Sequence, residues 1–195
     1  MIVWLTLVLA APGVPAPEPV AADRERMIAF ARAHRRTQLA GMGVLTGWAL
    51  ANIGGGLAGY YLDRDRRFFH QGNAIWNSVN LAIGIAGLVG NSRKRVPEDL
   101  ARADRLSRKT ARTYFINGAI DVVYIAAGAA TIAIGQHYRQ RRVQGYGQAI
   151  AFQGAFLFAF DTAMVLAHAR VRERRLRPAA DIRAGSGSLS LTGRF

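Results

Sequence analysis

The chain has 195 residues, 51% of them hydrophobic, and carries 26 Lys and Arg against 12 Asp and Glu. That length suits one domain. The absence of cysteine excludes a disulfide framework, a thiolate metal site and a cysteine nucleophile. A net charge of +14 would ordinarily point to nucleic acid, but here the charges avoid four segments, 39–62, 73–90, 113–135 and 148–169. These contain no Lys, Arg, Asp or Glu except Asp121 and Asp161. Each is close to the roughly 20 apolar residues that a bilayer core demands. The basic residues are therefore loop residues of a membrane protein, and nucleic acid is not an expected partner.

Residues 1–22 read as a signal peptide or a short N-terminal anchor. The apolar run is too short to span comfortably, and Val20-Ala21-Ala22 before Asp23 suits signal-peptidase cleavage. No Lys or Arg precedes the run, so cleavage stays open. Residues 23–38 form a basic juxtamembrane helix that runs into the first span. A short connector at 63–72 returns the chain as a hairpin into span 2. Pro97 suits a first helical position, with Glu98 and Asp99 in the first turn. Glu98–Arg102 and Asp104–Arg108 are spaced for i,i+4 pairs. A helix is expected from Pro97 straight through span 3. The four-helix domain covers 39–169, and 170–195 is a basic tail expected to be flexible.

Charge sets the orientation. Segments 23–38, 91–112 and 170–195 hold 20 Lys and Arg together, and connectors 63–72 and 136–147 hold 6. The richer set belongs in the cytoplasm. The fold class that follows is all-α, an integral membrane antiparallel four-helix bundle with long cytoplasmic helix extensions. The expected location is a bacterial inner membrane.

Small residues recur every fourth position in three spans: Gly43, Gly47, Ala51, Gly55 and Gly59; Ala74, Ser78, Ala82, Ala86 and Gly90; Ala151, Ala155, Ala159, Ala163 and Ala167. In lipid, close backbone approach supplies helix contact, so these ridges predict tight packing. Polar residues form other stripes: Trp48, Asn52, Gly55 and Gly59; His70, Asn73, Asn77, Asn80 and Gly84; Asn117, Asp121, Tyr124 and Gly128; Leu157, Asp161, Met164 and His168. Amides facing hydrocarbon would each cost several kcal/mol. The stripes should therefore point inward and bond to one another. Measured from each span's midpoint, Asp121 and Asp161 share one half of the membrane, and Asn52 and Asn77 the other. The bundle should have an amide layer and a carboxyl layer. The spacing shared by spans 1 and 3 hints at a duplicated hairpin.

No Lys or Arg lies inside a span to neutralise the two aspartates, and two unpaired carboxylates cannot both stay charged there without a cation. Either they are protonated and bonded to amides such as Asn117, or they hold a proton, metal ion or cationic ligand. Gly54, Gly56 and Gly59 match GxGxxG, but no strand precedes them, so they are packing residues. The four histidines read as interfacial rather than as haem or metal ligands. The arginine-rich helix at 93–112 could meet anionic headgroups. No serine–histidine–acid set, Walker sequence or HExxH appears. No cofactor or metal is implied, and nothing supports an enzyme.

Phe69, His70, Asn73, Trp76, Asn77 and Asn80 form an aromatic-His-x-x-Asn-x-x-Trp-Asn-x-x-Asn motif. With GWALANIGGGLAGY before it and GAFLFAFD after, residues 35–170 resemble an uncharacterised bacterial family of small four-transmembrane-helix proteins of unknown function. Gly72 stands where that family's pattern has Met. The resemblance implies the fold and no activity.

Two functions fit. The leading one is a structural or interaction module with an Asn- and Asp-lined interior, partnered by the bilayer and by a second copy or another membrane protein. Its competitor binds or transports a proton, ion or small molecule. The candidate polar site comprises Asn52, His70, Asn73, Asn77, Asn80, Asn117, Asp121, Tyr124 and Asp161.

Overall fold

The computed structural model describes residues 19–92, 96–177, 184–185 and 188–189. Four helices dominate: α1 (Pro19–Leu62), α2 (Arg67–Ser92), α3 (Leu100–His137) and α4 (Arg141–Leu176). In the tail, two-residue strands β1 (Ala184–Gly185) and β2 (Ser188–Leu189) pair antiparallel. The leader expected over 1–22 lies outside the described residues as far as residue 18, as does most of the tail. From Pro19 onward α1 runs unbroken through the basic segment and the first span.

Local chemistry sets the helix ends. α3 begins three residues later than Pro97 because Asp99 is its N-cap, with Oδ1 accepting from the Arg102 backbone N–H at 2.6 Å. That bond satisfies one of the first-turn donors. The Glu98–Arg102 and Asp104–Arg108 pairs form as spaced. Between α3 and α4 the chain turns at Arg139, whose φ of 52° is left-handed.

Glycines bring the helices together. Gly87 lies on Met42, Gly84 on Thr46, Gly56 on Ala74 and Gly59 on the His70 ring, so α1 and α2 run in opposite senses along their contact. Gly128 meets Ala151, Gly147 meets Ile132 and Gly154 meets Ile125, giving α3 and α4 the same relation. α4 also packs on α1, with Gly41 against Met164 and Trp48 stacked on Phe156 at 3.8 Å. It packs on α2 as well, with Gly145 against Phe68 and Gly72 against Ala149.

α4 therefore touches all three other helices. α2 and α3 do not pack backbone to backbone among the described residues. Trp76 and Tyr124 bridge them edge to face at 4.9 Å. One side of the four-helix arrangement is open.

The small-residue ridges make few of these contacts. Around Gly43, Gly47 and Gly55 an added Cβ would meet nothing within 4 Å. Ser78, Ala82, Ala86 and Gly90 on α2 and Ala155, Ala159 and Ala163 on α4 are likewise exposed. Only ends of the ridges, Gly59, Ala74 and Ala151, sit in contacts. The physical reason is rotation. α2 turns inward the face that carries Asn73, Asn77 and Asn80, and α4 the face that carries Gln153, Asp161 and His168, so a ridge on another face is carried outward.

The outer surface is strongly apolar, with Val44, Leu50, Leu57, Ile75, Val79, Phe115 and Val123 among its exposed residues. α3 and α4 are each long and apolar enough to cross a membrane by length and composition, which suggests membrane association. The asparagines and glycines of α1 and α2 keep those helices below the same measure.

Candidate functional site

The amides gather first. Asn52 on α1 donates its Nδ2 to the Trp48 carbonyl at 2.8 Å and accepts from Asn73 Nδ2 on α2 at 2.8 Å. Asn77 donates to the Asn73 carbonyl at 2.8 Å, and Asn80 Nδ2 reaches Asn77 Oδ1 at 3.4 Å. Asn73, Asn77 and Asn80 are all buried, with Asn77 fully enclosed. Their spacing of three and four residues puts them on one helical face.

The centre of this network is a residue the stripe analysis passed over. Gln153 on α4 is 0% exposed. It accepts from the Trp48 indole N–H at 3.0 Å and donates to Asn73 Oδ1. One side chain thus links three helices. Gln153 lies four residues before Leu157, so extending the helix 4 stripe by one turn would have found it.

The carboxyls lie further along. Asp121 on α3 and Asp161 on α4 are 4% and 5% exposed and face each other within interaction range. Gly118 lies beside the pair, where an added Cβ would sit at an ordinary contact distance of 3.8 Å from that of Asp161. Gln153 and Asp161 are eight residues apart on α4, about 12 Å of helix. Asp121 Oδ2 is buried and meets no amide, hydroxyl or basic donor among the described residues, and the Asp161 carboxyl lies within hydrogen-bonding range of the Asp121 side chain.

Both aspartates line a cleft of about 700 Å³ between α3 and the α1–α2 pair, floored by α4. Its walls include Asn80, Asn117, Tyr114, Tyr124 and Phe160, with Lys109 and Thr110 toward one end. Asn117 is not the buried amide partner that the sequence suggested. It is exposed at the cleft wall, because nothing closes α3 against α2. Tyr124 also stands at the opening, 37% exposed. A second cavity of about 480 Å³ continues along the same open side and shares Asn80, Ile83, Tyr124 and Leu157 with the first.

Polar groups flank both ends. Near the α1–α2 connector, His70 Nε2 approaches Asp63 Oδ2 at 3.5 Å. The Arg66 backbone N–H donates to Asp63, and with His70 it holds that exposed carboxyl below its ordinary range. At the other end, His34 and His168 rings lie 4.6 Å apart, with Tyr114 stacked on His168 and its hydroxyl donating to Gln38 Oε1 at 2.8 Å. Gln38 and Tyr114 are buried contributors that the sequence reading also missed. Beyond them Asp104 accepts from Arg172 at 2.6 Å and from Arg108 at 2.7 Å, which hold its carboxyl below the usual Asp range.

His70 therefore stands apart from the aspartates, at the connector end of the amide network. No group of three His, Asp or Glu side chains that could hold a metal gathers among the described residues. What the carboxyl pair can do is bind a proton or a positively charged group, since residues 113–135 and 148–169 hold no Lys or Arg.

No curated protein and no solved structure is detectably similar to this chain. A family model does match, over residues 44–162, which takes in both the amide network and the carboxyl pair. The chain belongs to that family, DUF6992, a family of unknown function.

Proposed function

We propose that the chain is a multi-pass protein of a bacterial inner membrane, an antiparallel four-helix bundle that binds a proton or a cationic ligand at Asp121 and Asp161. The apolar outer surface and the concentration of Arg and Lys in three of the five flanking segments support the multi-pass reading. A single observation carries the binding reading. Asp121, buried and with one carboxyl oxygen that meets no amide, hydroxyl or basic donor, lies within hydrogen-bonding range of a second buried aspartate on the wall of an open cleft. A purely structural acid would have its oxygens satisfied by neighbouring amides. Ionisable groups inside membranes commonly mark binding sites or relays.

A lipophilic carbodiimide tests this. Such reagents add to carboxylic acids sheltered in apolar surroundings and leave a stable N-acylurea. Intact-mass and fragment analysis should place the adduct on Asp121 or Asp161 and show none in the Asp121→Asn/Asp161→Asn variant. An unlabelled wild type, or equal labelling of the double variant, would overturn the reading.

A structural or interaction module is the second reading, favoured by Gln153, whose bonds to Trp48 and Asn73 are internal to the fold. On that reading the bilayer is the main partner, with a second copy or another membrane protein as the protein partner.

A further inference from the structure

We infer that the cleft takes a lipophilic organic cation, which enters sideways from the bilayer between α2 and α3. This rests on the binding reading above and adds the class of ligand and its route. Four features point the same way.

The first is access. The α2 and α3 backbones stay apart, with the Trp76–Tyr124 ring pair as the contact across the gap, and the two cavities along it share Asn80, Ile83, Tyr124 and Leu157. The flanking outward residues Val79, Ile83 and Ile120 are exposed and apolar, so the opening faces hydrocarbon. A ligand using it must first dissolve in lipid. That transfer is strongly unfavourable for a small hydrated ion and far less so for a cation shielded by its own hydrocarbon.

The second is charge. Asp121 and Asp161 sit together with no Lys or Arg of the spans beside them. Lys109 lines the cleft, but it is twelve residues before Asp121 on the same helix, about 18 Å along its axis. Asp121 Oδ2 meets no amide, hydroxyl or basic side chain among the described residues, so the paired acids leave a place for a positive group.

The third is the wall. Tyr114, Tyr124 and Phe160 present rings to the cleft, and aromatic faces attract cations that carry little water. The fourth is size. About 700 Å³ lies within the range of roughly 300–1,000 Å³ typical of small-molecule pockets and far exceeds a bare ion.

The probe is tetraphenylphosphonium, a permanent cation without hydrogen-bond donors, with triphenylphosphine oxide as the neutral comparison. Binding is measured by equilibrium dialysis on the full chain in lipid nanodiscs, with empty nanodiscs subtracted, and carbodiimide labelling is followed in parallel. Tetraphenylphosphonium should bind, and should protect Asp121 and Asp161 from the carbodiimide. Its affinity should fall more than about tenfold in Asp121→Asn/Asp161→Asn, and the neutral oxide should bind the wild type at least about tenfold more weakly than the cation does. Tyr124→Leu, which leaves both acids in place, should weaken the cation several-fold while labelling persists. That variant keeps the test decisive if the double variant fails to fold.

Labelling without protection by the phosphonium would overturn the lipophilic cation and leave the carboxyl site standing. Protection by sodium or potassium chloride alone would replace it with an inorganic cation. Equal binding of the neutral oxide would reduce the cleft to an apolar slot, and absence of labelling would remove both readings together.

Discussion

The side-chain amide of Gln153 donates to Asn73 Oδ1, joining α4 to α2 in the middle of the helices. The same residue accepts from Trp48 on α1 at 3.0 Å, so its removal unpairs groups on two other helices. Gln153→Leu keeps the volume and deletes both bonds. We expect it to lower stability by about 1–3 kcal/mol, the cost of leaving buried polar partners unmet. Gln153→Glu offers only acceptors when ionised and should do no better. Unfolding in mixed micelles, followed by circular dichroism, measures both.

Glycines of opposite consequence test the helix packing. A Cβ on Gly128 would come within 2.5 Å of the Ala151 backbone nitrogen, which cannot step aside. Gly128→Ala should cost about 1–3 kcal/mol through forced separation of α3 and α4. Gly47, inside the α1 small-residue ridge, has nothing within 4 Å. Gly47→Ala should be neutral, or stabilising by up to about 1 kcal/mol through helix propensity. Equal penalties at the two sites would show that the ridge packs within the chain after all.

Asp104 ties α3 to α4 beyond the spans, through Arg172 first and Arg108 second, and both hold its carboxyl below the ordinary Asp value. A depressed folded-state value means the stabilisation is full above the unfolded value of about 3.9 and fades as pH falls through the folded value. With the side chain 31% exposed, the gain should stay within about 1 kcal/mol. Thermal midpoints of wild type and Asp104→Asn should therefore differ at pH 7 and converge in acid below about pH 4. A difference that persists unchanged into that acid range would remove the ionic explanation.

Much of this was legible from residue spacing. The i, i+3 and i+4 rhythm of Asn73, Asn77 and Asn80 is a local property, and burial of amides follows from it directly. The same logic put Asp121 and Asp161 at one depth, since an antiparallel pair fixes relative height from midpoints. Rotation about each helix axis was harder to read. A helix with both a polar stripe and a small ridge can turn either one inward, and the ridges on α1, α2 and α4 gave no hint that they would lose. The open α2–α3 side was also invisible, because it depends on α4 approaching three helices at once, α2 through Gly145, α3 through Gly147 and Gly154, and α1 where Met164 meets Gly41. Asn117 was misplaced for that reason: its stripe is right, but no helix covers it.

Everything proposed for the cleft depends on all four helices crossing the membrane, so that Asp121 and Asp161 lie within the bilayer. Because the chain lacks cysteine, single cysteines report this directly. Glu98, Asp65 and Arg139 are exposed at the helix ends and can be replaced one at a time. In intact cells an impermeant maleimide should reach Asp65→Cys and Arg139→Cys, and should reach Glu98→Cys only after the membrane is opened. Labelling of all three from the same side would contradict the four-span arrangement, and with it the membrane-buried carboxyl pair.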